Sequence, residues 1–229
     1  MKKQLTLSAL ALCFAFGSVQ FMHAQDLNID DFKAGAYQSP QFRNGAAHPS
    51  TQTGPVANII GGTRSSNMNV CATTPCPVEN PFNQLSSYQF RPGTNGGPSA
   101  FIHKGGYYVG PRVDMGYGSG APMQANFSSY KNGWIRLNFK GLTENLNFNI
   151  QLFTGTTYAQ GGCNIIAYPG DFSVEVPFAY FIDNGIDYAN INTMNFIFQS
   201  SSPLGAVSFL ITSIEVSNTA KSGAISCHY

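Results

Sequence analysis

Two stretches of the chain alternate apolar and polar residues with a period of two. Trp134–Lys140 reads Trp-Ile-Arg-Leu-Asn-Phe-Lys, and Asn147–Phe153 reads Asn-Phe-Asn-Ile-Gln-Leu-Phe. That period belongs to a strand with one buried face and one wet face. Placed antiparallel across Gly141–Leu146, the two agree in register. Ile135 then faces Leu152, Leu137 faces Ile150, and Phe139 faces Phe148. A slip of one residue would bury amides, so the pattern predicts this hairpin. Its outer face would set Trp134 beside Phe153, Arg136 beside Gln151, and Asn138 beside Asn149.

Further strands are predicted over 27–32, 56–64, 85–90, 99–103, 107–109, 123–128, 172–178, 193–199 and 206–216. The clearest is Phe172–Phe178, with Phe172, Val174, Val176 and Phe178 on one side and Ser173 and Glu175 on the other. Helix signals are nearly absent, with room for one short turn after Phe178. Residues 33–55 are rich in Gly, Pro, Gln and Asn and read as a long irregular loop. Roughly ten short strands separated by Gly/Pro turns indicate an all-β, two-sheet antiparallel sandwich, a jelly roll, and not alternating β-α units.

The first 24 residues carry a different pattern. Lys2 and Lys3 precede a short apolar run, Leu5–Phe16, and small and polar residues follow up to Ala24. This predicts a secretory leader over 1–24 and a single domain over 25–229, secreted or periplasmic. No later run has the length of a membrane span. Of 12 Lys+Arg, removing Lys2 and Lys3 leaves 10 against 11 Asp+Glu, a net charge of about −1. Charged residues make up 10% of the chain, against roughly 25% in an average soluble protein. No basic patch is visible, which argues against a nucleic-acid partner.

Four cysteines lie beyond the leader: Cys71, Cys76, Cys163 and Cys227. An even number in an exported chain predicts disulfides, and three pairings are open. The short spacing favours Cys71–Cys76, which leaves Cys163–Cys227 to pin the C-terminal tail. Metal-binding spacing is lacking, since no second Cys-x-x-Cys or His pair accompanies them.

The order of segments resembles the galactose-binding-like jelly rolls of secreted carbohydrate-binding modules. Ile29-Asp30-Asp31-Phe32 and Ile60-Gly61-Gly62-Thr63-Arg64 carry the likeness near the start. Phe172–Phe181, Gly185-Ile186-Asp187-Tyr188 and Ile211–Val216 carry it near the end. The resemblance implies a sandwich that is often non-catalytic, often binds glycans, and sometimes holds a structural calcium where the first and last strands meet. No cofactor is required by it. Asp30, Asp31 and Glu215 match the calcium positions, while Thr212 stands where an acidic residue is often found.

For a ligand, the outer face of the predicted hairpin is the first candidate. A sugar ring packs its apolar face on an aromatic ring and needs amides and charges around its hydroxyls. Trp134, Arg136, Asn138, Asn149 and Gln151 supply both. The glycine-flanked tyrosines Tyr107, Tyr108, Tyr117, Tyr130 and Tyr158 offer a second location. Catalysis is less well supplied. A glycosidase needs two carboxylates across a cleft, and the eleven acids form no alternating cluster. Gly116–Gly120 does not match the spacing of a nucleophile elbow. A polysaccharide lyase would call on His103, Arg112 and Tyr117. The leading reading is therefore an exported, non-catalytic carbohydrate-binding sandwich. The alternatives are a structural or adhesion protein of the cell envelope and, behind it, a lyase or glycosidase.

Overall fold

A computed structural model describes residues 26–42, 49–70, 84–94, 97–106, 110–202 and 206–227. The leader, Cys71, Cys76, Tyr107 and Tyr108 lie outside the described residues. The strands in chain order are β1 (Leu27–Asp30), β2 (Tyr37–Gln38), β3 (Ser50–Thr53), β4 (Thr63–Asn69), β5 (Ser87–Arg91), β6 (Ala100–Lys104), β7 (Arg112–Tyr117) and β8 (Trp134–Leu142). They continue as β9 (Leu146–Thr154), β10 (Thr157–Ile165), β11 (Tyr168–Pro177), β12 (Ile182–Asp183), β13 (Thr193–Ser200), β14 (Ser208–Ser217) and β15 (Ile225–Ser226). Short 3-10 turns occupy Ile60–Gly62, Ser128–Tyr130 and Phe178–Tyr180.

Two sheets result. The first has the order β15-β11-β8-β14-β6-β5-β2, with β1 also on β14; the second has the order β12-β10-β9-β13-β7-β4-β3. All described pairings are antiparallel except the short parallel contact of β15 with β11. This is the predicted all-β sandwich.

The predicted hairpin does not form. β8 pairs with β11 and β14 in the first sheet, while β9 pairs with β10 and β13 in the second. The segment between them crosses the sandwich instead of turning back within one sheet. Its backbone is held by both sides: Thr143 N–H donates to Ser208 O at 3.0 Å, and Asn145 O accepts from Ser201 N–H at 3.2 Å. The predicted inward faces are nonetheless right, since Ile135, Leu137, Phe139, Phe148, Ile150 and Leu152 are all buried. A hairpin and two facing sheets bury the same residues, so period two alone does not separate them. The true hairpin partner of β9 is β10, joined through Gly155, whose φ of +58° suits a tight turn.

The predicted long loop over 33–55 contains β2 and β3, which edge the first and second sheets respectively. The strand predicted over 56–64 is a turn leading into β4, and 123–128 contributes one bridge, Ala125 to Ile191.

The core lies between the sheets and is rich in phenylalanine. Phe101 of β6 meets Phe198 of β13 at 5.6 Å between ring centroids and Phe209 of β14 at 5.4 Å. Each fully buried apolar side chain of this size contributes about 1.5–3 kcal/mol. At one edge, the Cys163–Cys227 disulfide ties β10 of the second sheet to the tail beside β11 of the first. This is the tail-pinning bond predicted from the sequence.

One polar element crosses the core. Asp30 and Arg64 are both fully buried and ion-paired. Tyr117 donates its hydroxyl to Asp30 Oδ2 at 2.8 Å, and Phe32 N–H donates to Oδ1 at 2.8 Å. Arg64 Nη2 also donates to Gly35 O at 2.9 Å, and its guanidinium lies 3.7 Å from the Phe90 ring centre. Burial pushes the Asp30 carboxyl above its ordinary pKa, and Arg64 opposes that rise. The pair thus fastens the end of β1, which belongs to the first sheet, to β4 and β7 of the second.

Candidate functional site

Because β8 and β9 lie in different sheets, the five predicted ligand residues fall on two opposite outer surfaces. Trp134, Arg136 and Asn138 belong to the first sheet, and Asn149 and Gln151 to the second. No single ligand ring spans them.

On the first sheet, Trp134 is half-buried at the start of β8, in register with Pro177 and Ser217. Arg136 is buried and fully engaged. Its Nε donates to Glu175 Oε1 at 2.8 Å, Nη1 to Glu215 Oε1 at 2.8 Å, and Nη2 to Thr219 O. Burial pulls its pKa down, but the bonds from Glu215 and Glu175 outweigh that and hold it above its ordinary value. The tail after β14 closes over this group, with Lys221 N–H donating to Glu175 Oε1 at 2.9 Å. Asn138 is bound by Ser213, Ser173 and Lys221. The Trp134 end of the predicted site is therefore a knot of internal bonds.

The predicted calcium residues do not converge. Asp30 faces Arg64 in the core. Asp31 accepts from Asn58 Nδ2 at 3.0 Å and pairs with Lys33 at 2.9 Å. Glu215 bonds Arg136 on the outer face. Among the described residues no three His, Cys, Asp or Glu side chains are gathered as a cation site. Each carboxylate already has a cation or an amide, so this arrangement does not fit calcium.

The residues named for a lyase are also separated. His103 is buried on the inner face of β6, Tyr117 is buried against Asp30, and Arg112 stands on the outside of β7, with Nε 2.7 Å from Asp114 Oδ1. Other acids hold loops: Asp183 accepts from Gly185 and Ile186 N–H, and Asp187 from Ala189 N–H.

The second sheet offers a different kind of surface. Strand register places Gln160, Gln151, Asn195, Gly116, Ser65 and Thr51 in one row across β10, β9, β13, β7, β4 and β3. The next row sets Gly162, Asn149, Ile197, Asp114 and Asn67 side by side. Among the described residues of these six strands, the only outward charges are Arg112 and Asp114, which pair with each other. The rest of the face is dominated by carboxamide, hydroxyl and glycine. Gly116 forms a low point in the first row, since a Cβ there would stand 2.9 Å from both Asn195 Oδ1 and Ser65 Oγ. A depression of about 320 Å³ lies there, with Gln151, Asn195 and Asn67 among its walls. Beside the row, Phe153 and Tyr158 pair at 6.1 Å, and Tyr158 is 38% exposed.

Sequence reasoning found Asn149 and Gln151 but missed the neighbours that make them a surface. β7 and β10 were not predicted as strands; Gly116 interrupts the first and Gly161 and Gly162 the second. The alternation in Arg112–Tyr117, with Val113 and Met115 inward, is the signal that could have found β7.

No family model matches the chain, and no curated protein matches it. Among solved structures, the chain resembles a family 11 carbohydrate-binding module from Clostridium thermocellum in complex with a beta-1,3-1,4-mixed-linked tetrasaccharide. Identity is 13%, coverage is 88% of this chain and 97% of that one, and the TM-score is 0.39. A family 30 carbohydrate-binding module of a cellulosomal cellulase of the same organism matches at 12% identity over 86% of this chain and 100% of that one, with a TM-score of 0.41. An exo-1,3/1,4-beta-glucanase from a Pseudoalteromonas species matches at 9% identity, over 90% of this chain but 22% of that one, with a TM-score of 0.43. At these identities and scores the chain's chemistry rests on its own residues.

Proposed function

We propose that this chain is an exported, non-catalytic sandwich that binds a neutral polysaccharide on the outer face of its second sheet. The observation that carries the reading is the row Gln160–Gln151–Asn195–Ser65 across five strands, interrupted only by Gly116. A sugar hydroxyl both donates and accepts, and a carboxamide offers both partners on one side chain. The Arg112–Asp114 pair cancels its own charge, which suits an uncharged polymer. The Phe153–Tyr158 pair supplies an apolar surface at the side of the row. A non-catalytic role is supported by the acids: Asp30, Asp31, Asp114, Asp171, Glu175 and Glu215 each hold a cation.

Affinity electrophoresis through gels containing soluble neutral β-glucans tests this. Wild type and Trp134→Ala should be retarded alike, whereas Gln151→Ala/Asn195→Ala should run about as in a gel without polysaccharide. Free migration of wild type in every neutral glycan tested would favour an adhesion or envelope role without a small ligand.

A further inference from the structure

The outer face of the first sheet carries a second groove of different electrostatic character. Three depressions of about 480, 570 and 510 Å³ lie along it and share walls. Lys140 belongs to the first and second, and Ile102 and Lys104 belong to the second and third. Together they run from the C-terminal tail beside β11, across β8, β14 and β6, to β5 and β2. Four strand intervals separate β11 from β5, so the groove crosses about 19 Å of sheet.

Three ammonium groups line this path: Lys221, Lys140 and Lys104. Among the described residues the only acid on the walls is Asp171, which pairs with Lys140 at 3.1 Å. Glu175, Glu215 and Asp26 gather on Arg136 beside the tail, off the walls of the groove. Among its wall residues, three lysines against Asp171 leave an excess of two positive charges. Lys221 is also held in place. Its Nζ donates to Asn138 Oδ1 at 2.9 Å and Ser173 Oγ at 2.8 Å, and it has no carboxylate partner among the described residues. An ammonium has three donors, so one remains for a ligand. Its backbone is fixed by the Glu175 contact, and the tail is fastened beyond it by the Cys163–Cys227 bond. A cation held in advance loses little freedom on binding. At the middle of the groove Tyr168 is 49% exposed, edge-on to Phe172 at 5.5 Å. Leu210 and Ile102 continue the apolar floor.

We infer that this groove binds an acidic polysaccharide, one bearing carboxylate or sulfate groups on extended sugar chains. Sparse cations alternate with hydroxyls, amides and one exposed aromatic ring, which matches a polymer of mixed polar and anionic character. Nucleic acid fits less well. Its phosphates recur about every 3.4 Å along a strand, a denser charge than three lysines over this span can match. The two binding faces point away from each other, so one molecule can hold a neutral and an acidic polymer together.

The test is affinity electrophoresis of the full chain, without its leader, in gels containing polygalacturonate, a sulfated galactan or a neutral β-glucan, with single-stranded DNA as a competitor. Wild type should be retarded by one or both acidic polymers, and the retardation should fade as salt rises. Lys104→Gln/Lys140→Gln/Lys221→Gln should bind them about tenfold more weakly and should keep its behaviour toward the neutral glucan. A melting curve matching wild type confirms that the triple variant is folded, and Lys104→Gln alone, on an exposed side chain, should show a partial loss. Unretarded wild type in both acidic gels, equal binding by the triple variant, or displacement by DNA in preference to acidic glycan would each overturn the inference. None of these outcomes touches the second-sheet site, which is read separately through Gln151 and Asn195.

Discussion

Replacing Arg64 by Met examines the most demanding interaction in the core. Arg64 is 0% exposed, so its charge is tolerable only because Asp30 faces it and two backbone carbonyls accept from it. Met keeps most of the apolar stem against Phe90 and Phe32 but removes the charge. Asp30 is then left with the Tyr117 hydroxyl and the Phe32 N–H as its donors. Removing one partner of a buried pair costs about 3–5 kcal/mol. The Asp30→Asn/Arg64→Met double variant leaves no charge at this place in the core and should recover most of that loss. The pH dependence follows from the sign of the Asp30 shift. Its pKa is already raised by burial above 3.8 in the fold, and without Arg64 it rises further. Across that window the folded variant binds more protons than the unfolded chain, so its stability falls as pH rises. The deficit relative to wild type should therefore be smaller near pH 4 than near neutrality. Urea unfolding at several pH values measures all three quantities. A loss below about 1 kcal/mol for Arg64→Met, or a double variant no more stable than the single one, would refute this account of the pair.

Other expectations follow from the same structure. His103 is 2% exposed and stacked on Phe209 at 5.0 Å, and burial, partly offset by the Val207 backbone, pushes its pKa down to about 4. Unfolded, it titrates near 6.5, so between these values the unfolded chain binds more protons and stability is lost as pH falls, on the order of 3 kcal/mol in all. His103→Phe should flatten that part of the urea-stability profile, and an unchanged slope would contradict the assignment. The Cys163–Cys227 bond spans 64 residues, so Cys163→Ala/Cys227→Ala should lose roughly 2–4 kcal/mol; an unchanged urea midpoint would contradict it. Gly116→Val should push Asn195 and Ser65 apart and abolish neutral-glycan retardation while leaving a cooperative melt, and full retention of binding would contradict the role given to that low point.

The architecture was legible where burial leaves a period in the sequence. The inward faces of β8, β9 and β11 could be read from alternation, and they line the core. Partner choice was not legible, because Ile135, Leu137 and Phe139 are equally well buried by a hairpin mate or by a facing sheet. That one ambiguity divided the candidate site, sending Trp134, Arg136 and Asn138 to one surface and Asn149 and Gln151 to the other. The roles of the acids were hidden for a similar reason. Asp30 looks like a surface ligand beside Asp31, but its partner Arg64 lies 34 residues away and only the fold brings them together. The pairing of Cys163 with Cys227 was one of three open from the sequence, favoured because the short Cys71–Cys76 spacing left it over. Gly116 and Gly162 hid their strands, since a glycine that clears a binding surface and one that makes a turn look alike in a single sequence.

The central claim is that a neutral polysaccharide lies across the second sheet. Amide chemical-shift mapping with a soluble neutral β-glucan oligosaccharide tests it most directly. The account predicts shifts concentrated at Ser65, Gly116, Gln151, Gln160 and Asn195, with β8 and β14 undisturbed. Shifts centred on Trp134 and the first sheet, or none at saturating oligosaccharide, would contradict it.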